Sequence, residues 1–231
     1  MILTVAAMFS ATLKFLLIMM ISLAVEPIDL LRVDETPVGS GLPAGWKVKP
    51  VRGQSAPATE VQSIDGANVL RVEGKSSAAW FHRELPSPIA ETAGSLSWSW
   101  RVLESPAGAD LRRKETDDSP MRVFVVFGKP SIFGRSGRVI FYSYGGQDPA
   151  GYERRSQVSD RAHVVRRDGR SDNGKWLDNA VDPFADYRRV WRGSPPAITA
   201  VGIMQDTDQT KAKSVAQLRR LDWIPSNALP R

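Results

Sequence analysis

Ser95-Leu96-Ser97-Trp98-Ser99-Trp100-Arg101-Val102-Leu103 reads as a β-strand with one apolar side. Leu96, Trp98, Trp100 and Val102 recur at every second position, and Ser95, Ser97, Ser99 and Arg101 fill the positions between. Successive side chains of a strand point to opposite faces, so this alternation predicts one buried and one polar face. Trp98 and Trp100 fall on the apolar side and belong to the core.

Outward from that strand, Arg122–Phe127 and Arg138–Tyr144 are apolar on both faces, as central strands are. Thr59–Ile64 and Asn68–Glu73 flank Asp65-Gly66, a hairpin signal. Ala78–Leu85 reads as a strand stopped by Pro86 and Pro88, and Ala162–Arg166, Ile198–Met204 and Gln217–Ile224 read as further strands. One helix is predicted. Asp182 caps it, Pro183 suits its first position, and Phe184, Tyr187 and Trp191 share a face. The expected fold is all-β, an antiparallel, jelly-roll-like β-sandwich with one short helix near 183–191. Residues 25–231 are expected to form a single domain. An α/β sheet would need a helix after nearly every strand, and the sequence lacks them.

Composition agrees. The chain has 231 residues, 42% hydrophobic and 24% charged, which excludes a disordered or collagen-like polymer. A domain of this size buries its core without disulfides. Cysteine is absent, so thiol nucleophiles and Cys-ligated metal sites are excluded. A formal charge of +6 favours anionic partners only mildly.

Residues 1–25 hold no acid and one base, Lys14, followed by the apolar run Phe15 to Ile21 and the small residues Ser22 and Ala24. This pattern predicts a signal peptide over 1–24, cleaved after Ala24. The alternative is an uncleaved membrane anchor, which Lys14 in mid-segment makes costly. A periplasmic or otherwise exported location follows, and neither nucleic acid nor nucleotide is expected as a partner.

Ile203-Met204-Gln205-Asp206-Thr207-Asp208-Gln209-Thr210 places Asp-x-Asp-x-Thr after an apolar strand, as in haloacid-dehalogenase-type phosphatases. That motif opens the first strand of a Rossmann-like sheet, whereas here 21 residues remain after Thr210. The context excludes the reading. A second acidic pair, Asp117-Asp118, directly precedes the strand that contains Arg122. If the two strands are antiparallel neighbours, both pairs emerge at one sheet edge. Asp117, Asp118, Asp206 and Asp208 would then offer an oxygen-rich site for Ca²⁺. The competing expectation, and the one favoured here, is that Arg122 neutralises the carboxylates in a structural ion pair.

His82 and His163 lie inside strands without a recognisable nucleophile, and neither Gly-x-Ser-x-Gly nor His-Glu-x-x-His occurs. Trp80 and Phe81 face opposite ways, so one of them is a candidate for a ligand surface. Trp176, in the loop Asn173-Gly174-Lys175-Trp176, is a candidate for stacking on a sugar ring. Trp176, Arg122 and Trp80 are therefore the candidate ligand-binding residues.

An ordered set of strings carries a family resemblance: Leu42-Pro43-Ala44-Gly45-Trp46, Trp98-Ser99-Trp100-Arg101-Val102, Asp117-Asp118-Ser119-Pro120-Met121-Arg122-Val123, Gly174-Lys175-Trp176, Asp186-Tyr187 and Asp206-Thr207-Asp208-Gln209-Thr210. The chain resembles an uncharacterised bacterial exported family catalogued as domain of unknown function 3047. The resemblance implies export and no established activity, and it supplies no catalytic residues. The expected function is a non-catalytic binding module for a glycan or other anionic envelope component. The alternatives are a polysaccharide-acting enzyme using the clustered carboxylates, and a scaffold or assembly factor.

Overall fold

The computed structural model describes residues 26–91, 94–129 and 137–226. The expected signal peptide lies outside them. Among the described residues the order is β1 (Ile28–Asp29), β2 (Lys47–Pro50), β3 (Ala58–Ile64), β4 (Ala67–Lys75), β5 (Ala78–Ile89), β6 (Gly94–Glu104), β7 (Ser119–Phe127), β8 (Arg138–Gly145), β9 (Glu153–Arg155), β10 (Ala162–Gly169), β11 (Leu177–Val181), α1 (Pro183–Trp191), β12 (Ile198–Asp206) and β13 (Lys213–Pro225). No helix among them is long and apolar enough to cross a membrane.

Two sheets face each other in a jelly-roll-like β-sandwich. One runs β11-β6-β13-β4-β3 with β1 beside β13, and the other runs β2-β5-β12-β7-β8-β10-β9. Among the described residues every strand pairing is antiparallel except β8 with β10. The chain between those two strands crosses over and lays β9 on the far side of β10. A parallel pair needs such a crossover, whereas an antiparallel pair can close through a tight turn. That tight turn joins β3 to β4, where Asp65 and Gly66 both have positive φ (53° and 80°), the hairpin geometry their sequence predicts.

The inner faces supply the core. Leu96, Trp98, Trp100 and Val102 of β6 are fully buried, as their alternation requires. Trp98 lies 5.4 Å from both Trp100 and Tyr142, ring centroid to centroid, so β6 and β8 meet across the sandwich. Each such side chain contributes about 1.5–3 kcal/mol on burial. The polar face of β6 is also covered. Ser97 and Ser99 are buried beneath Arg220 and Arg219, whose guanidiniums donate to their hydroxyls.

Helix α1 forms as its sequence predicts, with Asp182 accepting from the Phe184 and Ala185 amides and Arg192 closing the C-terminus at φ 51°. It packs Phe184 against Trp223 and Tyr187 against Phe127. Asp186 accepts from the Tyr142 hydroxyl at 2.8 Å and so ties the helix to β8.

Several strand boundaries differ from the expectation: β7 begins at Ser119 rather than Arg122, β10 continues to Gly169, and β13 begins at Lys213 rather than Gln217. β5 does not stop at Pro86 but runs through both prolines to Ile89. The β12 pairing jumps from Glu84 to Ile89, and β2 covers only residues 79–82. The prolines sit where no ladder bond requires an N–H, which is where a strand tolerates them.

Candidate functional site

The outer face of the seven-stranded sheet is apolar as well. Strand register sets Trp80 beside Met204 and Met204 beside Arg122, with Phe124 opposite Phe141 and Phe141 opposite Val164 in the next row. Trp80 meets Phe124 edge-on and tilts against Phe141, each at a centroid distance of 5.1 Å. These residues, with Val126, Val139, Ala162 and Ala200, form a second apolar cluster separate from the core. Gly202 makes the packing possible: a Cβ there would stand 2.4 Å from the Phe124 ring and 2.3 Å from the Phe81 carbonyl oxygen.

Above this floor opens a cleft of about 550 Å³. Its walls are loops pinned by carboxylates. Asp148 accepts from the Leu111 and Gly146 amides, and Asp110 holds Arg112. Val158, Ser159 and Arg161 line one side, and Lys114, Glu115 and Asp117 line another.

The acidic strings meet at the head of the cleft. β7 and β12 are antiparallel neighbours with Asp206 opposite Ser119, so the residue before β7 meets the turn after β12. Asp118, Asp206 and Asp208 each bring one oxygen within 4.8 Å of the others. Asp118 accepts from the Gln209 amide and from the amide and hydroxyl of Thr210, fixing the turn to the start of β7. Arg122 reaches Asp117 at 2.9 Å and stands 3.8 Å from Asp206. Arg154 also pairs with Asp117.

Burial dominates the electrostatics. It pushes the Asp206 carboxyl well above the usual carboxylate range; Arg122 pulls it down, and Asp208 and Asp118 push it further up. The Asp118 carboxyl is also raised by burial, against the Thr210 and Gln209 hydrogen bonds that lower it. Burial works against the Arg122 charge, but Asp117, Asp206 and Asp118 together hold its pKa above the ordinary arginine value. Asp206 Oδ1 and Asp208 Oδ1 are buried atoms without hydrogen-bond partners among the described residues.

Of the residues singled out in the sequence, the structure gathers Asp117, Asp118, Asp206, Asp208, Arg122 and Trp80 at one cleft. Trp176 lies elsewhere, beside the six-stranded sheet, with the Arg101 and Arg219 guanidiniums 4.7 and 4.6 Å from its ring centroid. His163 faces away from its cleft-lining neighbours Ala162 and Val164 and stands 3.7 Å from Glu153. Met204, Phe141, Arg154 and Arg161 were not anticipated. The first two read as ordinary strand hydrophobes, and nothing local shows that the sheet's outer face is open. Arg154 belongs to an Arg-Arg doublet, and only the pairing of β9 with β10 decides which member turns inward.

A family model described as "Protein of unknown function (DUF3047)" matches residues 44–222. Among curated proteins, none matches the chain in sequence. Among solved structures, the family 11 carbohydrate-binding module of the cellulosomal cellulase Lic26A-Cel5E of Clostridium thermocellum is similar at 11% identity. The match covers 88% of this chain and 96% of that one, with a TM-score of 0.48. The C. thermocellum family 11 module in complex with a β-1,3-1,4-mixed-linked tetrasaccharide matches at 13% identity over 90% and 100% of the two chains, TM-score 0.48. Endoglucanase 3 of Trichoderma harzianum, from family GH12, matches at 13% identity over 78% and 89%, TM-score 0.41. All three scores lie below 0.5, and the site stands on its own geometry.

Proposed function

The chain belongs to the DUF3047 family, and we propose that its cleft binds a glycan without cleaving it. The observation that carries this reading is the composition of the cleft, an aromatic floor at Trp80 and Phe141 bordered on one side by carboxylates and guanidiniums. A sugar ring presents an apolar face and a rim of hydroxyls, so it fits an exposed indole edge beside fixed hydrogen-bonding groups. The cleft is open, which suits an extended polymer. Arg161, which also lines the cleft, can pair with an acidic substituent on the glycan. Export of the mature chain, expected from residues 1–24, would bring the cleft to extracytoplasmic glycans.

The arrangement of the acids argues against catalysis. Hydrolysis of a glycosidic bond uses two carboxyl groups flanking it, about 5–9.5 Å apart. Here Asp206, Asp208 and Asp118 converge on one another, and Asp117 is held by two arginines.

Native affinity electrophoresis in gels containing neutral β-glucans, galactans or uronate polymers tests the proposal. Retardation in at least one gel without release of reducing ends is the expected result. Unretarded migration in all of them would remove the glycan reading, and release of reducing ends would replace binding with catalysis.

A further inference from the structure

Fully ionised, the acidic head of the cleft would carry more negative charge than its arginines balance. Asp117, Asp118, Asp206 and Asp208 face two guanidiniums, those of Arg122 and Arg154. Lys114 and Glu115 on the rim offset each other. With all four carboxyls ionised, two negative charges would be left over. Apart from this clustering, Asp206 is only 7% exposed and its Oδ1 finds no hydrogen-bond donor among the described residues. A buried carboxyl oxygen without a hydrogen-bond partner is costly, and a cation bound beside it would remove that cost.

We propose that Asp118, Asp206 and Asp208 bind one Ca²⁺ ion. The donors are all oxygen, with neither imidazole nor thiolate, which selects a hard cation. Ca²⁺–O bonds of 2.3–2.6 Å place oxygens on opposite sides of the ion up to about 5 Å apart. One oxygen from each of the three carboxylates lies within 4.8 Å of the others, close enough to share one ion. Mg²⁺, with bonds near 2.1 Å, demands stricter octahedral geometry and gives up its water reluctantly. The charge of the ion equals the deficit. Asp118 is already oriented by three hydrogen bonds from Gln209 and Thr210, so binding orders little that is not ordered. Asp208 is half-buried and opens to the cleft, which gives the ion a path and room for water ligands.

This inference is independent of the glycan reading, because it is measured on the protein alone. The purified chain, stripped with EDTA, is titrated with CaCl₂ by isothermal calorimetry and followed by thermal unfolding, with MgCl₂ at the same ionic strength as comparison. One Ca²⁺ per chain and a Tm that climbs with calcium concentration are expected. Asp208→Asn should weaken binding at least tenfold and remove most of the Tm gain, and Glu60→Gln, on the exposed edge strand β3, should change neither. No heat and no Tm shift up to about 5 mM Ca²⁺, beyond the usual range even for weak extracellular calcium sites, overturns the proposal. Undiminished binding by Asp208→Asn does the same, and an equal response to Mg²⁺ overturns the choice of ion. Should Asp208→Asn fail to fold, Tb³⁺ luminescence excited through tryptophan decides on the parent chain, since Trp80 lines the same cleft. A signal saturating at one ion per chain and displaced by Ca²⁺ supports the site, and its absence sinks it.

Discussion

Arg122 Nη1 stands 3.8 Å from Asp206 Oδ2, linking the first half of β7 to the end of β12 at the head of the cleft. The same guanidinium donates to the Asp117 carboxylate and backbone carbonyl, so one buried arginine gathers both acidic strings. Antiparallel register makes the meeting possible: Arg122 sits opposite Met204, and Asp206 lies two residues further along the same face.

Removing that arginine should be severe. Arg122 is 5% exposed, and Arg122→Met leaves Asp206 buried without its cation. Loss of one member of a buried pair costs about 3–5 kcal/mol. Urea unfolding in EDTA should show a loss of that size, and adding Asp206→Asn should restore part of it. A change under about 1 kcal/mol would mean that Arg122 is not the structural partner of these acids.

Trp80 and Trp176 should separate cleanly. Trp80→Ala removes the exposed part of the aromatic floor and should abolish retardation in whichever glycan gel holds the parent chain. Its stability cost should stay near 2 kcal/mol, below the ~3–5 of a fully buried aromatic. Trp176→Ala breaks the contacts with Arg101 and Arg219 on the other sheet and should leave retardation unchanged. The opposite pattern would move the ligand surface to the six-stranded sheet.

Gly202→Ala should destabilise although alanine suits a strand better than glycine. Its methyl group would meet the Phe124 ring and the Phe81 carbonyl, and overpacking of this kind costs about 1–3 kcal/mol. Unchanged stability in thermal unfolding would show that Phe124 can move aside.

His163 gives the fold a pH dependence. Burial lowers its pKa below 6.5, opposed by Glu153, while Arg189 lowers it and Asp186 raises it. The unfolded chain therefore takes up the proton first as pH falls through about 6.5, and stability drops until the lower folded pKa is passed. His82, also lowered by burial, acts in the same direction. Between about pH 7.5 and 5.5, the parent should lose more unfolding free energy than His163→Gln. Equal losses would show that His163 titrates alike in both states.

Much of this architecture is local and was legible. The two-residue alternation of β6, the Asp65-Gly66 turn and the Asp182 cap depend on side chains a few positions apart. Sequence spacing alone therefore determines them. The meeting of the two acidic strings followed from one further assumption, that β7 and β12 pair. The edge strands β1, β2, β9 and β11 escaped notice because they are short and at most partly buried, without an apolar stripe to mark them.

What the sequence alone determined is therefore the sandwich and its helix; the convergence of its acids also needed the pairing of β7 with β12, which the fold supplies. Only the tertiary structure decided which face of the seven-stranded sheet became a cleft, and that Trp80 lines it while Trp176 packs against arginines elsewhere. It also decided that β10 runs parallel to β8 and that Arg154 shares Asp117 with Arg122. The physical reason is range. Alternation and capping are set by neighbours along the chain, whereas strand partners and the loops covering a sheet are set by packing between residues far apart in sequence.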